Sequence, residues 1–166
     1  MIQIVESTHG ALALPGGTHL PDQHKIQKAQ VCKVDEGLGL VFGWAIICKI
    51  DGEDYYDLNV DRDGEHTGKR VPEHIPEDVM LKAAFDFADE TDCPGNEMHV
   101  GDAKGRHVFM FPMTEDIAKA LEITTKHSGL LIAYKPPPDV LAKFKSGQYT
   151  GFSIEGFHVD SELVDA

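Results

Sequence analysis

The stretch LGLVFGWAIICKI, residues 38–50, decides the fold class of this chain. It is rich in Val, Ile, Phe and Trp, and it ends at Asp51-Gly52, a pair that favours a tight turn. Such residues pack well on a pleated sheet, and the run is much shorter than the ~20 apolar residues of a membrane-spanning helix. We therefore predict a buried β-strand here.

Outward from this strand, strands and helices are interspersed, which predicts an α+β fold. Residues 76–90 predict a helix, because Pro76 suits a first turn and the acids after it favour the helix dipole. Apolar residues at helical spacing predict its buried face: Val79, Met80, Ala83, Ala84 and Phe87. Further strands are predicted at 97–100, 107–113, 129–135 and 149–157, and shorter helices at 115–121, capped by Thr114, and 137–145, followed by Gly147.

The two ends of the chain are patterned differently from its middle. Residues 1–36 carry turn signals but no periodicity, so we predict an N-terminal arm that is peripheral to the domain at 37–158. Residues 159–166 predict an acidic tail. Residues 51–65 carry seven acids and one arginine, which is typical of a solvated loop or a short edge hairpin.

The composition excludes several classes of protein. The chain has 166 residues, enough for one domain, and 42% of them are apolar, as in folded globular proteins. Its net charge of -13 disfavours nucleic acid as a partner, since a binder of nucleic acid normally presents a basic face. The N-terminus, MIQIVESTHG, lacks a basic region followed by an apolar run, so we predict no secretion signal. The three cysteines are odd in number and widely spaced, which predicts reduced thiols.

Two sets of side chains have the composition of a metal site. One alternates along a loop: Asp57, Asn59, Asp61, Asp63 and Glu65. The other is scattered: His66, His74, His99 and His107. An EF-hand frame that starts at Asn59 places Arg70 where the bidentate glutamate belongs, and the histidines lack short ligand spacings. We therefore predict no metal and no cofactor.

A serine and a histidine are the candidates for chemistry. Ser153 lies in TGFSIEG, residues 150–156, between two glycines that leave room for a substrate backbone. The second glycine comes one position too late for the G-x-S-x-G elbow. His99, in NEMHV at 96–100, can accept the proton of a serine hydroxyl near neutral pH. A hydrogen-bonded strand serine and a hairpin histidine fit these residues as well, so both interpretations stay open.

Taken together, residues 41–157 resemble the phage prohead (capsid maturation) serine proteases, especially the XkdF-like group. Four segments match that family's patterns in order: VFGWA at 41–45, DRDGE at 61–65 with Ile75-Pro76 before LKAAFDF at 81–87, Met98-His99, and KSGQYTGFSIEG at 145–156. The last matches K-x-G-x-x-T-G-F-S-I-x-G and is the most specific. Residues 66–74 are an insertion relative to the pattern and predict a longer surface loop.

The resemblance implies a small bent antiparallel β-barrel with surrounding helices, related to herpesvirus assemblin. It also implies a serine endopeptidase that cleaves scaffold and coat-protein segments inside the immature prohead, in the host cytoplasm. His99 would be the base and Ser153 the nucleophile, and we expect Gly151 and Glu155 to contact substrate. The implied partners are phage scaffold and major capsid proteins, with no membrane and no nucleic acid; homo-oligomerisation stays open.

The third group, which would orient the imidazole, is unassigned. Five side chains are candidates: Asp102, His107, Glu155, His158 and Asp160. His158 and Asp160 lie at odd offsets from Ser153, so in a straight strand they face away from it. This gap keeps open a non-catalytic capsid-assembly or scaffold-associated protein on the same fold. A small β-barrel binding module is the generic third interpretation.

Overall fold

The computed structural model describes residues 2–6, 31–60, 70–89, 93–97 and 102–154. The strands found there are β1 (Ile2–Glu6), β2 (Val31–Asp35), β3 (Leu40–Ile50), β4 (Glu53–Asp54), β5 (Asp57–Val60), β6 (Arg70–Glu73), β7 (Gly95–Glu97), β8 (Arg106–Met113), β9 (His127–Lys135) and β10 (Tyr149–Ile154). The helices are α1 (Glu77–Ala88), α2 (Glu115–Ala120) and α3 (Pro138–Lys145). The mixed α and β class is confirmed.

The larger sheet has five strands, all in antiparallel pairs. Its order is β2-β3-β9-β8, and β4 pairs with the end of β3. In its centre Trp44 lies opposite Leu131, and Val41 lies opposite Tyr134. The strand predicted at 38–50 is thus the central strand β3.

Strand β3 is buried on both faces, and this double burial explains its nearly unbroken apolar run. One face belongs to the main core, which the sheet shares with α1, α3 and β10. That core is formed by Val41, Ala45, Ile46, Cys48, Met80, Ala84, Leu130, Ile132, Tyr134, Val140, Phe144, Tyr149 and Phe152. The other face packs Trp44 and Ile47 against Met113 and against Ala118 of α2.

Helix α1 forms where the sequence predicts it, but it buries a narrower stripe than expected. Met80 and Ala84 are buried and Phe87 is half-buried, as predicted. Val79 is 52% exposed and Ala83 is exposed, so their predicted burial is wrong. They lie on the flank of the row through Met80 and Ala84, and only that row meets the sheet.

The two shorter helices follow their local signals. The Thr114 hydroxyl accepts a hydrogen bond from the Ile117 backbone N–H (3.2 Å), which confirms the predicted cap of α2. Helix α3 ends just before Gly147, whose φ of 74° lies in the left-handed region that favours glycine. Strands β5 and β6 form a separate two-stranded antiparallel sheet, and β5 lies within the acidic stretch at residues 51–65.

The smaller, three-stranded sheet has the order β10-β1-β7. Strand β1 pairs antiparallel with β10 and parallel with β7. The sequence predicts a peripheral arm at the N-terminus, whereas β1 lies in the middle of this sheet and β2 belongs to the larger one. Strand β1 has only five residues, too few for a distinctive alternation, and its partners β10 and β7 lie far along the chain, so no local signal predicts their pairing.

The described strands do not close into the predicted barrel. Strand β10 pairs with β1 and packs against β3 and β2, and no ladder joins it to either of them. Both edges of β3 are already taken, by β2 and β9. Strand β10 therefore covers the face of β3 with Tyr149 and Phe152, and the larger sheet stays open.

Candidate active site

The candidate nucleophile lies on the smaller sheet. Strand β10 carries Ser153 in register with Gln3 of β1. Gly151, predicted to contact substrate, is buried in the same strand and lies opposite Val5. Phe152 anchors the strand, since it is 3% exposed and packs in the main core.

The candidate base follows β7 of the same sheet. The described part of that segment ends at Glu97, and His99 lies outside the described residues, as does Glu155. Strand β1 separates β7 from β10, and Ser153, Gln3 and Asn96 share one row across the three strands. The pairing of Ser153 with His99 stays a prediction.

A cluster around Glu97 joins the two segments that carry this pair. The side chains of Lys104, Lys143 and Tyr149 converge on the carboxylate, and we call these four residues the Glu97 cluster. Lys104 Nζ donates to Oε2 (2.5 Å). Lys143 Nζ and the Tyr149 hydroxyl (2.5 Å) both donate to Oε1. Glu97 and Tyr149 are only 9% and 5% exposed, so the contact is made away from bulk water.

The electrostatics of the Glu97 cluster favour its fully charged form. Hydrogen bonds from Lys104, Lys143 and Tyr149 lower the pKa of Glu97 to about 2. The same carboxylate raises the pKa of Lys104 and of Lys143 above the ordinary value. Burial, and then the hydrogen bond to Glu97, raises the pKa of the Tyr149 hydroxyl. Glu97 is therefore an anion at neutral pH and its partners keep their protons.

Tyr134 supports the turn from which Lys104 reaches Glu97. Its hydroxyl donates to the Lys104 carbonyl oxygen, and its ring lies against Gly95. A Cβ at position 95 would overlap Tyr134 Cε2, so only glycine lets β7 approach β9 this closely. Backbone hydrogen bonds between Gly95 and both Lys104 and Gly105 complete this connection.

His107, one of the candidates for the third group, has a structural environment. It is 7% exposed and packs between the rings of Phe87 and Tyr134, at centroid distances of 5.6 and 5.3 Å. Its Nδ1 donates to the Cys93 carbonyl oxygen (3.1 Å), since a carbonyl can only accept. Burial lowers the pKa of His107 to about 4, so the ring is neutral at pH 7. Of the other candidates, Asp102 is exposed, and Glu155, His158 and Asp160 lie outside the described residues.

The two sets that were weighed as metal ligands are only partly described: Asp61, Asp63, Glu65, His66 and His99 lie outside the described residues. Among the residues that are described, no three His, Cys, Asp or Glu side chains are grouped so that they could hold a metal ion. His74 is used otherwise: its Nδ1 donates to the Tyr55 carbonyl oxygen (2.9 Å). None of the three cysteines forms a disulfide, and burial raises the pKa of the Cys48 thiol to about 12.

Sequence reasoning missed the Glu97 cluster. The only feature of the sequence that draws attention to Glu97 is its position two residues before His99. Lys143 and Tyr149 lie 46 and 52 residues further along the chain, and no local pattern links them to Glu97.

Comparisons with protein-family models, with curated proteins and with solved structures find no match. Across the described residues, no helix is both long enough and apolar enough to cross a bilayer.

Proposed function

We propose that this chain is a serine endopeptidase of the capsid-maturation type, with Ser153 as nucleophile and His99 as general base. One observation carries the proposal. The segment that leads to His99 and the segment that leads to Ser153 are joined through the Glu97–Tyr149 hydrogen bond, and Tyr149 belongs to the most specific motif of the resemblance, at residues 145–156. The two segments lie in one sheet although they are far apart in sequence.

The chemistry asked of this pair is acyl transfer. A serine hydroxyl is a weak nucleophile until a neighbouring base takes its proton. His99 would accept the Ser153 proton during attack on the scissile carbonyl and return it to the leaving amine. Glu155 would contact the substrate backbone beside the nucleophile, whereas Gly151, which was also expected to contact substrate, is buried opposite Val5 and packs within the sheet.

The finer fold proposal is a bent, barrel-like arrangement of the assemblin type. Beyond β8, residues 93–95 pair with 104–107 and lead into β7, β1 and β10. The strands thus follow one another as β2-β3-β9-β8-β7-β1-β10, and β10 returns to pack on β3 and β2. This order supports a sheet that curls around the main core with an open seam.

The proposed substrates are scaffold and major capsid proteins, and the proposed place of action is the immature prohead in the host cytoplasm. A homo-oligomer is compatible with that role. The net charge of -13 supports the expectation that neither nucleic acid nor an anionic membrane is a partner.

A serine-directed fluorophosphonate probe tests the proposal. We expect the unaltered chain to be labelled at Ser153, and Ser153→Ala and His99→Ala to lose labelling and scaffold cleavage. The double variant should be hardly worse than either, because nucleophile and base act as one unit. Glu155→Ala should cost less. The matched control is Ser146→Ala, since Ser146 is exposed and bonds only locally to the Lys143 carbonyl. Labelling that persists in Ser153→Ala would refute the assignment.

The second candidate is a non-catalytic capsid-assembly or scaffold-associated protein on the same fold. The bond of His107 Nδ1 to a backbone carbonyl favours it, since that ring nitrogen is then not available to orient the imidazole of a base. This candidate requires an unlabelled chain that still binds scaffold protein.

A further inference from the structure

A buried carboxylate needs hydrogen-bond donors, and Glu97 takes them from segments that are distant along the chain. Its carboxylate is almost buried and receives three donors from three different elements. Lys104 comes from the turn before β8, Lys143 from α3, and Tyr149 from the start of β10. The main apolar core includes Tyr149 but neither of the lysines nor Glu97.

We propose that Glu97 is a positioning residue for the Ser153–His99 pair: its carboxylate fixes the segment that leads to His99 against the strand that carries Ser153. The inference rests on the proposed function and deepens it. Glu97 is two residues before His99 along the backbone, and Tyr149 is four residues before Ser153. The Glu97–Tyr149 hydrogen bond therefore connects the segment that carries His99 to the strand that carries Ser153.

The negative charge of Glu97 strengthens its hydrogen bonds to the three donors. Hydrogen bonds between ionised partners are shorter and roughly twice as strong as neutral ones, and two lysines here share one carboxylate. A glutamine could still accept from the Tyr149 hydroxyl, but it would leave Lys104 and Lys143 without their counter-charge. The Lys104 and Lys143 side chains are 42% and 35% exposed, so water would solvate them, and the variant would lose the charge-assisted bonds that hold both lysines at the buried side chain of residue 97.

Loss of the link should disturb the pair more than the fold. Most of the main core comes from β3, β9, α1 and α3, and only Tyr149 belongs both to that core and to the Glu97 cluster, so we expect the larger sheet to keep its apolar burial when Glu97 is changed. Catalysis is far more sensitive to geometry: a misplacement of about 1 Å can cost on the order of 100-fold in rate. A positioning role thus predicts a slow enzyme that is still folded.

The test compares Glu97→Gln with the unaltered full-length chain, using the fluorophosphonate probe at several concentrations. We expect the maximal labelling rate to fall about 100-fold, while the probe concentration at half-maximal rate stays the same. Tyr149→Phe removes one of the three donors, and we expect its maximal labelling rate to be about tenfold lower than that of the unaltered chain. Glu97→Asp keeps the charge and should recover part of the rate. The matched control is Glu115→Gln, which also removes an ion pair with a lysine, Lys49, but at the surface and on α2.

The outcomes separate this inference from the proposed function. Circular dichroism and thermal unfolding establish that each variant is folded at the assay temperature. A folded Glu97→Gln, or a folded Tyr149→Phe if the first variant does not fold, that reacts at the unaltered maximal rate overturns the positioning role alone. An unaltered chain that the probe does not label overturns both proposals. A loss confined to probe affinity places Glu97 in substrate binding and also overturns positioning.

Discussion

The two sheets of this protein are assembled by different means. The larger sheet is centred on two long apolar strands, β3 and β9, and β3 is buried on both faces by other apolar side chains. The smaller sheet takes three short strands from the start, the middle and the end of the described chain, and one of its pairs is parallel. Its strands β7 and β10 are tied together by an anion and its donors. The core-forming sheet thus depends on burial, and the sheet that carries the candidate site depends on long-range partners.

The most disruptive test of this comparison removes β1. Deleting residues 1–6 leaves β10 and β7 without the strand between them, and we expect a loss on the order of 5 kcal/mol, since each lost hydrogen bond costs about 1 kcal/mol. Native-state hydrogen exchange should show that amides of β10 lose protection most and those of β9 least. Equal losses in the two sheets would contradict the distinction between them.

A cavity in the larger sheet should lower the free energy of unfolding somewhat less than the deletion of β1 does. Leu130 on β9 is 2% exposed, so Leu130→Ala should lower the free energy of unfolding by about 4 kcal/mol. Leu121→Ala is the matched control, because Leu121 is 53% exposed and should change stability by about 0.5 kcal/mol at most. Urea denaturation measures both. A small effect at Leu130 would show that apolar burial does not dominate this sheet.

The junction between the sheets should be sensitive to acid through His107. Its folded-state pKa is lowered from 6.5 to about 4, so the unfolded chain takes up the proton first as the pH falls. Stability should drop between pH 6.5 and about 4, by roughly 3 kcal/mol, and no further from this group below that range. His107→Gln should flatten this part of the profile. At pH 8 the ring is neutral in both states, so any difference there reports packing and the bond to Cys93. A variant that keeps the full pH dependence would place the titration elsewhere.

The smallest loss of stability is expected at α2, which packs on the face of the larger sheet opposite the main core. Thr114→Ala removes the hydroxyl that caps α2, and we expect a loss of about 1 kcal/mol in thermal or chemical unfolding. Thr124→Ala, at an exposed position after the helix, is the control and should be nearly neutral. If the two variants lose the same amount, the cap does not stabilise α2.

Much of the larger sheet could be predicted from the sequence, because its signals are local. The β-branched and aromatic run of β3, the Thr114 cap and Gly147 after α3 each report the preference of a few neighbouring residues. The same reasoning failed at Val79 and Ala83, since periodicity identifies the apolar side of α1 but not which row of that side meets a sheet. For the candidate site the sequence supplied Ser153 and His99 by resemblance, and it did not supply their surroundings.

By itself, then, the sequence determined the class of fold, the central strand, the Thr114 cap of α2 and the end of α3 at Gly147, because these features depend on the preferences of neighbouring residues. Only the tertiary structure decided that β1 lies between β7 and β10, that the larger sheet stays open, and that Glu97 meets Lys143 and Tyr149. Those arrangements depend on which distant segments come together. Which segments pair depends on the apolar area buried by the whole chain and on the entropy lost when its loops close, and a short stretch of sequence does not report either quantity.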